Sequence, residues 1–194
     1  MDLTSLMLAA GILAAGRGPL GAPTPCDRLA AYTADRDRIA PGVDRVDMDL
    51  PAALKACEGA VARDPDSPRL NYQLSRLYGY VGQTKQAAKA RDVAIAARYP
   101  IALFVQSFEV AFGKGPEADR CRGARMMVEA ARAGAFAARV AVPAYRLNGE
   151  FSACHDLPDR DQMLTLLEAA RPQTISHFET LLIDSLEREV RALP

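Results

Sequence analysis

Tryptophan is absent from the 194-residue chain, aromatic residues make up only 6% of it, and 24 acidic residues cancel 24 basic ones. That balance leaves no electrostatic footprint for nucleic acid, and no basic run is present to hold an anionic membrane surface. Histidine occurs twice, as His155 and His177, and neither C-x-x-C nor H-x-x-x-H spacing is found. Cys121, Cys154, His155 and His177 supply the elements of a zinc site without its spacing, so no metal is expected. Gly-x-Ser-x-Gly is also missing. Ser152, Cys154, His155 and Asp156 are close in sequence, but closeness along a loop does not aim side chains at one another. The stretch "GKGPEADR" lacks the Gly-Lys-Ser/Thr ending of a phosphate loop and reads instead as a connection between helices. These absences leave no catalytic, metal or cofactor set to assign, and the expectation is a protein that is not an enzyme.

What is present points to helices. Almost half the residues are apolar, enough core for one domain or a compact repeat array. Alanine dominates that set; it has the best intrinsic helix propensity, and its small side chain lets helices approach closely. Few runs are rich in β-branched residues, so the composition predicts an all-α fold. The N-terminus reads differently. "LTSLMLAAGILAAG", residues 3–16, carries no charge. It is too short to span a bilayer comfortably, which takes about 20 residues. It suits the apolar centre of a signal peptide, with Ala14 and Gly16 as small residues before a cleavage point, although Asp2 precedes it and no Lys or Arg does. Residues 1–22 are therefore expected to be a signal peptide or, alternatively, a retained apolar anchor, followed by an irregular segment over residues 23–50. Proline immediately before Cys26 argues against a lipid anchor there.

Four cysteines (Cys26, Cys57, Cys121 and Cys154) lie behind that leader. An even count in that context predicts disulfides in an oxidising compartment, the alternative being four buried thiols in a cytoplasmic helical protein.

The phrases "VEAAR" and "LEAAR" belong to a longer repetition. Helical segments ending at Pro65, Pro100, Gly134 and Pro172 carry small residues seven apart, at Ala53/Ala60, Ala87/Ala94 and Ala124/Ala131, with Met163/Ala170 in those places in the fourth. The second position recurs at 60, 94, 131 and 170, at intervals of 34, 37 and 39 residues. Such a period of helical segments marks an α-solenoid. The stretches between supply the first helix of each hairpin. In "PRLNYQLSRLYGYVG", Leu70, Leu74, Leu77, Tyr78 and Val81 form one stripe, opened by Pro68 and closed by Gly82. Helices are predicted near 51–63, 68–81, 84–98, 101–112, 118–133, 136–147, 160–171 and 174–191, with Pro143 kinking or restarting the sixth. The last covers the end of the array over residues 172–194. Ile175, Phe178, Leu181, Leu182, Ser185 and Leu186 are expected inward, and Glu179, Glu187, Arg188, Glu189 and Arg191 outward.

The stretch "NYQLSRLYGYVGQTKQAAKARDVAIAARYP" resembles a tetratricopeptide repeat. Leu74, Tyr78, Gly82, Ala87 and Ala94 stand where that motif has Leu, Tyr, a turn Gly and two helix-B alanines. Asn71, Ser75 and Arg91 depart from its Trp, Gly and aromatic positions. The next unit, "FGKGPEADRCRGARMMVEAARAGAFAARVAVPAY", is similar to the longer Sel-one-like variant. The resemblance spans about residues 51–171 and implies a right-handed α-solenoid of three to four hairpins with a C-terminal capping helix. It also implies a groove, lined by the first helices, that binds a peptide or protein segment. Arg69, Tyr72 and Arg76 fall off the Leu70/Leu74/Leu77 face, where that likeness places partner-binding positions for an acidic or C-terminal peptide. An ordinary solvated helix face is the plain alternative. The implied function is a scaffold or adaptor for another protein in the bacterial periplasm or outside the cell. The alternative is an accessory structural subunit of a membrane or envelope complex, membrane-associated on the periplasmic side through a retained N-terminal helix.

Cys57 lies four residues after Ala53 and three before Ala60, and so points into the first hairpin. "CDRLAAY" reads as a remnant of that hairpin's missing first helix, too short to hold itself down. A Cys26–Cys57 bridge fastens it, and by the same logic Cys121, at the start of the third helix B, is expected to reach Cys154 in the loop after the following helix. Four cysteines allow three connectivities, and the other two stay open at this level.

Overall fold

The structure, a computed structural model, describes residues 22–113 and 118–194. The leader expected at residues 1–22 falls outside the described residues save for its last position, as does the centre of the "GKGPEADR" connection. Among the described residues every regular element is helical: α1 (Pro25–Ala30), α2 (Leu50–Arg63), α3 (Pro68–Tyr80), α4 (Thr84–Ala96), α5 (Pro100–Phe112), α6 (Arg120–Arg132), α7 (Phe136–Leu147), α8 (Arg160–Ala170) and α9 (His177–Arg191).

Local chemistry explains where these helices begin and end. Thr24 and Asp27 form a reciprocal capping box on α1, and Asp159 and Gln162 do the same on α8. The side chains of Asp49, Asp119 and Ser176 accept from backbone N–H groups in the first turns of α2, α6 and α9. Helices α3 and α5 open on proline, whose missing N–H has no intrahelical partner at that position in any case. Gly82 and Gly134 end α3 and α6 at φ 78° and 106°, a region that side chains with a Cβ resist. Arg98 takes the same left-handed position after α4, at φ 56°. Pro143 does not restart α7, which runs continuously through it.

Helices adjacent in sequence pack together: α3 on α4, α5 on α6, α7 on α8, and α9 on both α7 and α8. The small-residue register accounts for this. Ala53, Ala60, Ala94, Ala124, Ala131, Met163 and Ala170 are all buried, and only Ala87 is half-exposed. Helices α5 and α6 approach closely: a Cβ on Gly123 would stand 2.3 Å from the backbone nitrogen of Ala111. Arg139 ties three helix ends together, donating to the carbonyls of Ala131 at 3.2 Å and Ala169 at 2.8 Å and to the Gln173 side chain at 2.8 Å.

Both expected disulfides are present. Cys26–Cys57 fastens α1 to α2 at a Cα separation of 4.5 Å, and Cys121–Cys154 joins α6 to the loop after α7 at 5.2 Å. The second lies beside an aromatic cluster in which Tyr145 meets Phe112 at 4.9 Å and Phe151 at 5.5 Å between ring centroids. The bonds fit an oxidising compartment. No helix among the described residues is long and apolar enough to cross a membrane.

The C-terminal helix corrects the sequence reading. It starts at His177, after the Ser176 cap, and buries Ile183, Leu186 and Val190 against Met163, Leu167 and Ala170 of α8 and Val140 of α7. Ile175, Phe178, Leu181 and Leu182, expected inward, are 63%, 83%, 47% and 46% exposed. The helix carries apolar residues on two sides. Docking selects the side whose 183/186/190 spacing runs the full length of the contact, whereas the other ends in Ser185, Arg188 and Glu189.

Candidate functional site

Between α1 and α2 the chain folds into a compact loop over residues 31–43. Its ends meet through the Val43 N–H, which donates to the Ala31 carbonyl at 2.8 Å. Arg38 braces it from inside, donating to the carbonyls of Thr33 at 3.2 Å and Asp35 at 2.7 Å. Gly42 passes so close to Thr33 that a Cβ there would lie 2.6 Å from its Cα. Closed ends and internal packing are the features of an Ω-loop. This one lies against α3, α5, α7 and α9.

The loop and α1 cover the face expected to be an open groove. Arg69 forms an ion pair with Asp27. The Asp27 carboxylate is fully buried and also accepts from the Thr24 N–H and hydroxyl, both at 2.8 Å, and from Gln73 at 3.1 Å. Burial holds the Arg69 guanidinium below its ordinary value. Tyr72 is only 2% exposed, enclosed between Tyr32 and Tyr99 at centroid distances of 6.3 and 5.8 Å. Arg76 lies 4.1 Å above the Tyr32 ring and donates to the Ala30 carbonyl at 3.1 Å and the Tyr80 hydroxyl at 2.8 Å. All three side chains are therefore engaged by the chain's own N-terminal segment rather than lining an open face. The sequence pattern puts them on one side of α3 correctly, but an irregular segment has no period from which to read what covers that side.

At the N-cap of α5, the Tyr99 hydroxyl donates to Asp35 at 2.6 Å, and the Asp37 N–H donates to the other Asp35 oxygen at 2.9 Å. Burial raises the Asp35 carboxyl above its ordinary range despite those two donors. Burial also pushes the Tyr72 and Tyr99 phenols far above theirs. Beyond Asp35 the loop reaches the C-terminal helices. Arg36 lies 4.5 Å above the Phe136 ring and forms an ion pair with Glu179 of α9.

Past that contact the surface opens. A cleft of about 420 Å³ runs between the loop, α7 and α9. Thr33, Ala34, Phe136, Ala137, Val140 and Ala141 line it, together with Ile175 and the Arg36–Glu179 pair. A second, more polar hollow of about 620 Å³ shares Arg36 and Ile175 and extends along residues 36–41 to Pro172 and Gln173. On the opposite side, about 480 Å³ lies between α2, α3 and α4, bounded by Val61, Leu74, Tyr78, Ala90 and Val93 with Asp66 and Lys89. The cleft residues went unrecognised in the sequence because those of α7 read as ordinary core positions of a hairpin. The one available signal was the apolar run of α9, more than a single buried stripe needs.

The chemistry-bearing side chains do not converge. Cys121 and Cys154 are bonded to each other and offer no thiolate to a metal or an acyl group. Ser152, His155 and Asp156 are exposed on the loop before α8, and His177 is exposed at the start of α9. Among the described residues no three His, Cys, Asp or Glu side chains are grouped to hold a metal ion. Comparisons with protein-family models, with curated proteins and with solved structures find no match to this chain.

Proposed function

We propose that this chain is a non-enzymatic scaffold or adaptor of the bacterial periplasm, a right-handed α-solenoid of three to four tetratricopeptide-like or Sel-one-like hairpins that docks a segment of another protein. The cleft between the 31–43 loop, α7 and α9 carries this reading. It is concave and lined mostly by small and apolar side chains, with a charged pair of opposite signs among them. Apolar walls with a few placed polar groups are what a protein segment with an apolar anchor requires. The Arg36–Glu179 pair offers a guanidinium and a carboxylate to the backbone or side chains flanking that anchor. Two disulfides support export.

The site of capture thus moves from α3 to α7 and α9. Ala141 is half-buried in the cleft wall and also packs against the core around Ala138 and Val142, so Ala141→Trp should fill the space, with helical ellipticity checking that the variant stays folded. The purified chain, with a photo-crosslinker at position 137, is exposed to envelope extract of the native host. Wild type should yield a discrete crosslinked protein that Ala141→Trp loses, while a Trp at Lys89 on the opposite hollow leaves it intact. Equal crosslinking by wild type and Ala141→Trp would remove the cleft as the docking site.

A further inference from the structure

The outer face of α9 goes beyond the cleft and whatever the cleft binds. Helix α7 buries two apolar faces. Ala138 and Val142 pack toward α6, and Val140, with Phe136, Ala144 and Leu147, packs toward α8 and α9. Helix α9 buries one, through Ile183, Leu186 and Val190. Its second face, Phe178, Leu181 and Leu182, continues from Ile175 just before the Ser176 cap, and these four are the largest group of exposed apolar side chains among the described residues. On the helix this face stands about a third of a turn from the buried one. A helix apolar on two sides is the kind found inside a stack, with another helix on each side.

We infer that the face is covered by α9 of a second copy, so that two chains pair through antiparallel C-terminal helices about a two-fold axis. Self-complementarity is the first reason. Along α9 the positions Phe178, Leu182, Ser185 and Glu189 follow a seam of alternating four- and three-residue steps. An antiparallel register that sets Phe178 of each copy on Leu182 of the other centres the pair on Thr180, with Ile175 flanking it just before the helix. The apolar halves of the two helices then overlap. The charges at the far end, Arg188 and Glu189, pass beyond that overlap instead of meeting their own kind. A parallel pair would stack Glu189 on Glu189 and align the two helix dipoles unfavourably. Area is the second reason. Four side chains at those exposures present on the order of 500 Å² of apolar surface, so pairing withdraws roughly 1,000 Å² from water, where specific interfaces begin. A symmetric pair closes on itself and leaves no face for further growth.

The full chain should sediment as a dimer at about 100 µM and dissociate on dilution, with a dissociation constant on the order of micromolar, as expected of a small interface. Phe178→Glu and Leu182→Lys should each raise that constant by roughly 100-fold, as loss of a central anchor does. Helical ellipticity should not change, since both side chains are solvent-exposed within one chain. Mixing the two variants should restore a dimer, because the register sets the new carboxylate opposite the new ammonium. A wild type that stays monomeric at about 100 µM overturns the proposal, as does a dimer that both substitutions leave untouched. Variants that fail to pair on mixing overturn the antiparallel register.

Discussion

Replacing Arg69 with methionine tests whether this side chain is structural or free to meet a ligand. Methionine keeps most of the apolar stem and removes only the charge and its donors. Asp27 is fully buried, and the Arg69 side chain is 15% exposed. Loss of the guanidinium therefore leaves a carboxylate in the interior with Thr24 and Gln73 as its remaining donors. Breaking a buried ion pair from one side costs about 3–5 kcal/mol, because the remaining charge is uncompensated. The three neutral donors that stay in place put this site near the lower end, about 3 kcal/mol. Domains are stable by only about 5–15 kcal/mol, so urea unfolding followed by helical ellipticity, with disulfides intact, should show a large drop in midpoint at unchanged slope. Asp27→Asn combined with Arg69→Met should cost clearly less than the sum of the two single changes, with a coupling of about 1–3 kcal/mol. A loss below about 1 kcal/mol for Arg69→Met would place the pair among solvent-screened surface bridges and return Arg69 to the list of groove residues.

Ala94 is fully buried, so Ala94→Leu should destabilise by about 1–3 kcal/mol through overpacking; an unchanged denaturation midpoint would refute the small-residue register. Gly123→Ala should cost about as much, since its Cβ would stand 2.5 Å from the Ala111 Cα and α5 must move away; a melting temperature equal to wild type contradicts that contact. The Asp35 carboxyl titrates above its ordinary value in the fold, so the folded chain holds that proton more tightly, and stability falls as pH rises from about 4 toward the raised folded value. Melting curves across that window should be flatter for Asp35→Asn than for wild type, and an equally steep fall would assign the dependence to another group. Cys26→Ala with Cys57→Ala opens a crosslink between residues 31 apart and should cost about 3–4 kcal/mol by chain entropy, whereas non-reducing peptide mapping that finds free thiols would remove both bridges.

The helices were legible because their signals are local. Caps, prolines and turn glycines sit within a few residues of what they terminate, so seven of the eight sequence-predicted helices begin and end within about two residues of the observed elements. The favoured disulfide pairing rested on local signals too, Cys57 on the buried face of α2 and Cys26 on a helix too short to stand alone, while the count of cysteines alone left the other two connectivities open. Position 174 failed as a start for α9 because Ser176 caps the helix two residues later, with the short 3-10 turn Arg171–Gln173 before it. Its face failed for a different reason. Two apolar stripes on one helix are equivalent to a periodicity argument, and only the partner surface, Met163, Leu167 and Ala170, breaks the tie.

The loop over residues 31–43 shows a deeper limit of periodic reading, and it changes what the fold can do. "ADRDRIAPGV" alternates in charge as a solvated connection would, yet Asp35 is buried and Arg36 reaches both Phe136 and Glu179. Each of those side chains gains its partner from a helix at least 60 residues away in sequence. No window of ordinary length contains both members of such a pair. Filling the α3 face with this loop offsets the loss of an open groove by joining the first helices to the last. The loop also becomes one wall of the cleft that remains. Any change that frees the loop, at Cys26, Asp27 or Arg69, should therefore disturb capture at α7 and α9, although none of those residues lines the cleft. Asp35→Asn, which keeps an acceptor for the Asp37 N–H and a polar partner for Tyr99, should leave capture unchanged. If Arg69→Met unfolded the chain by the expected amount yet left crosslinking at position 137 intact in the folded fraction, the loop would be a plug over α3 and not a wall of the site.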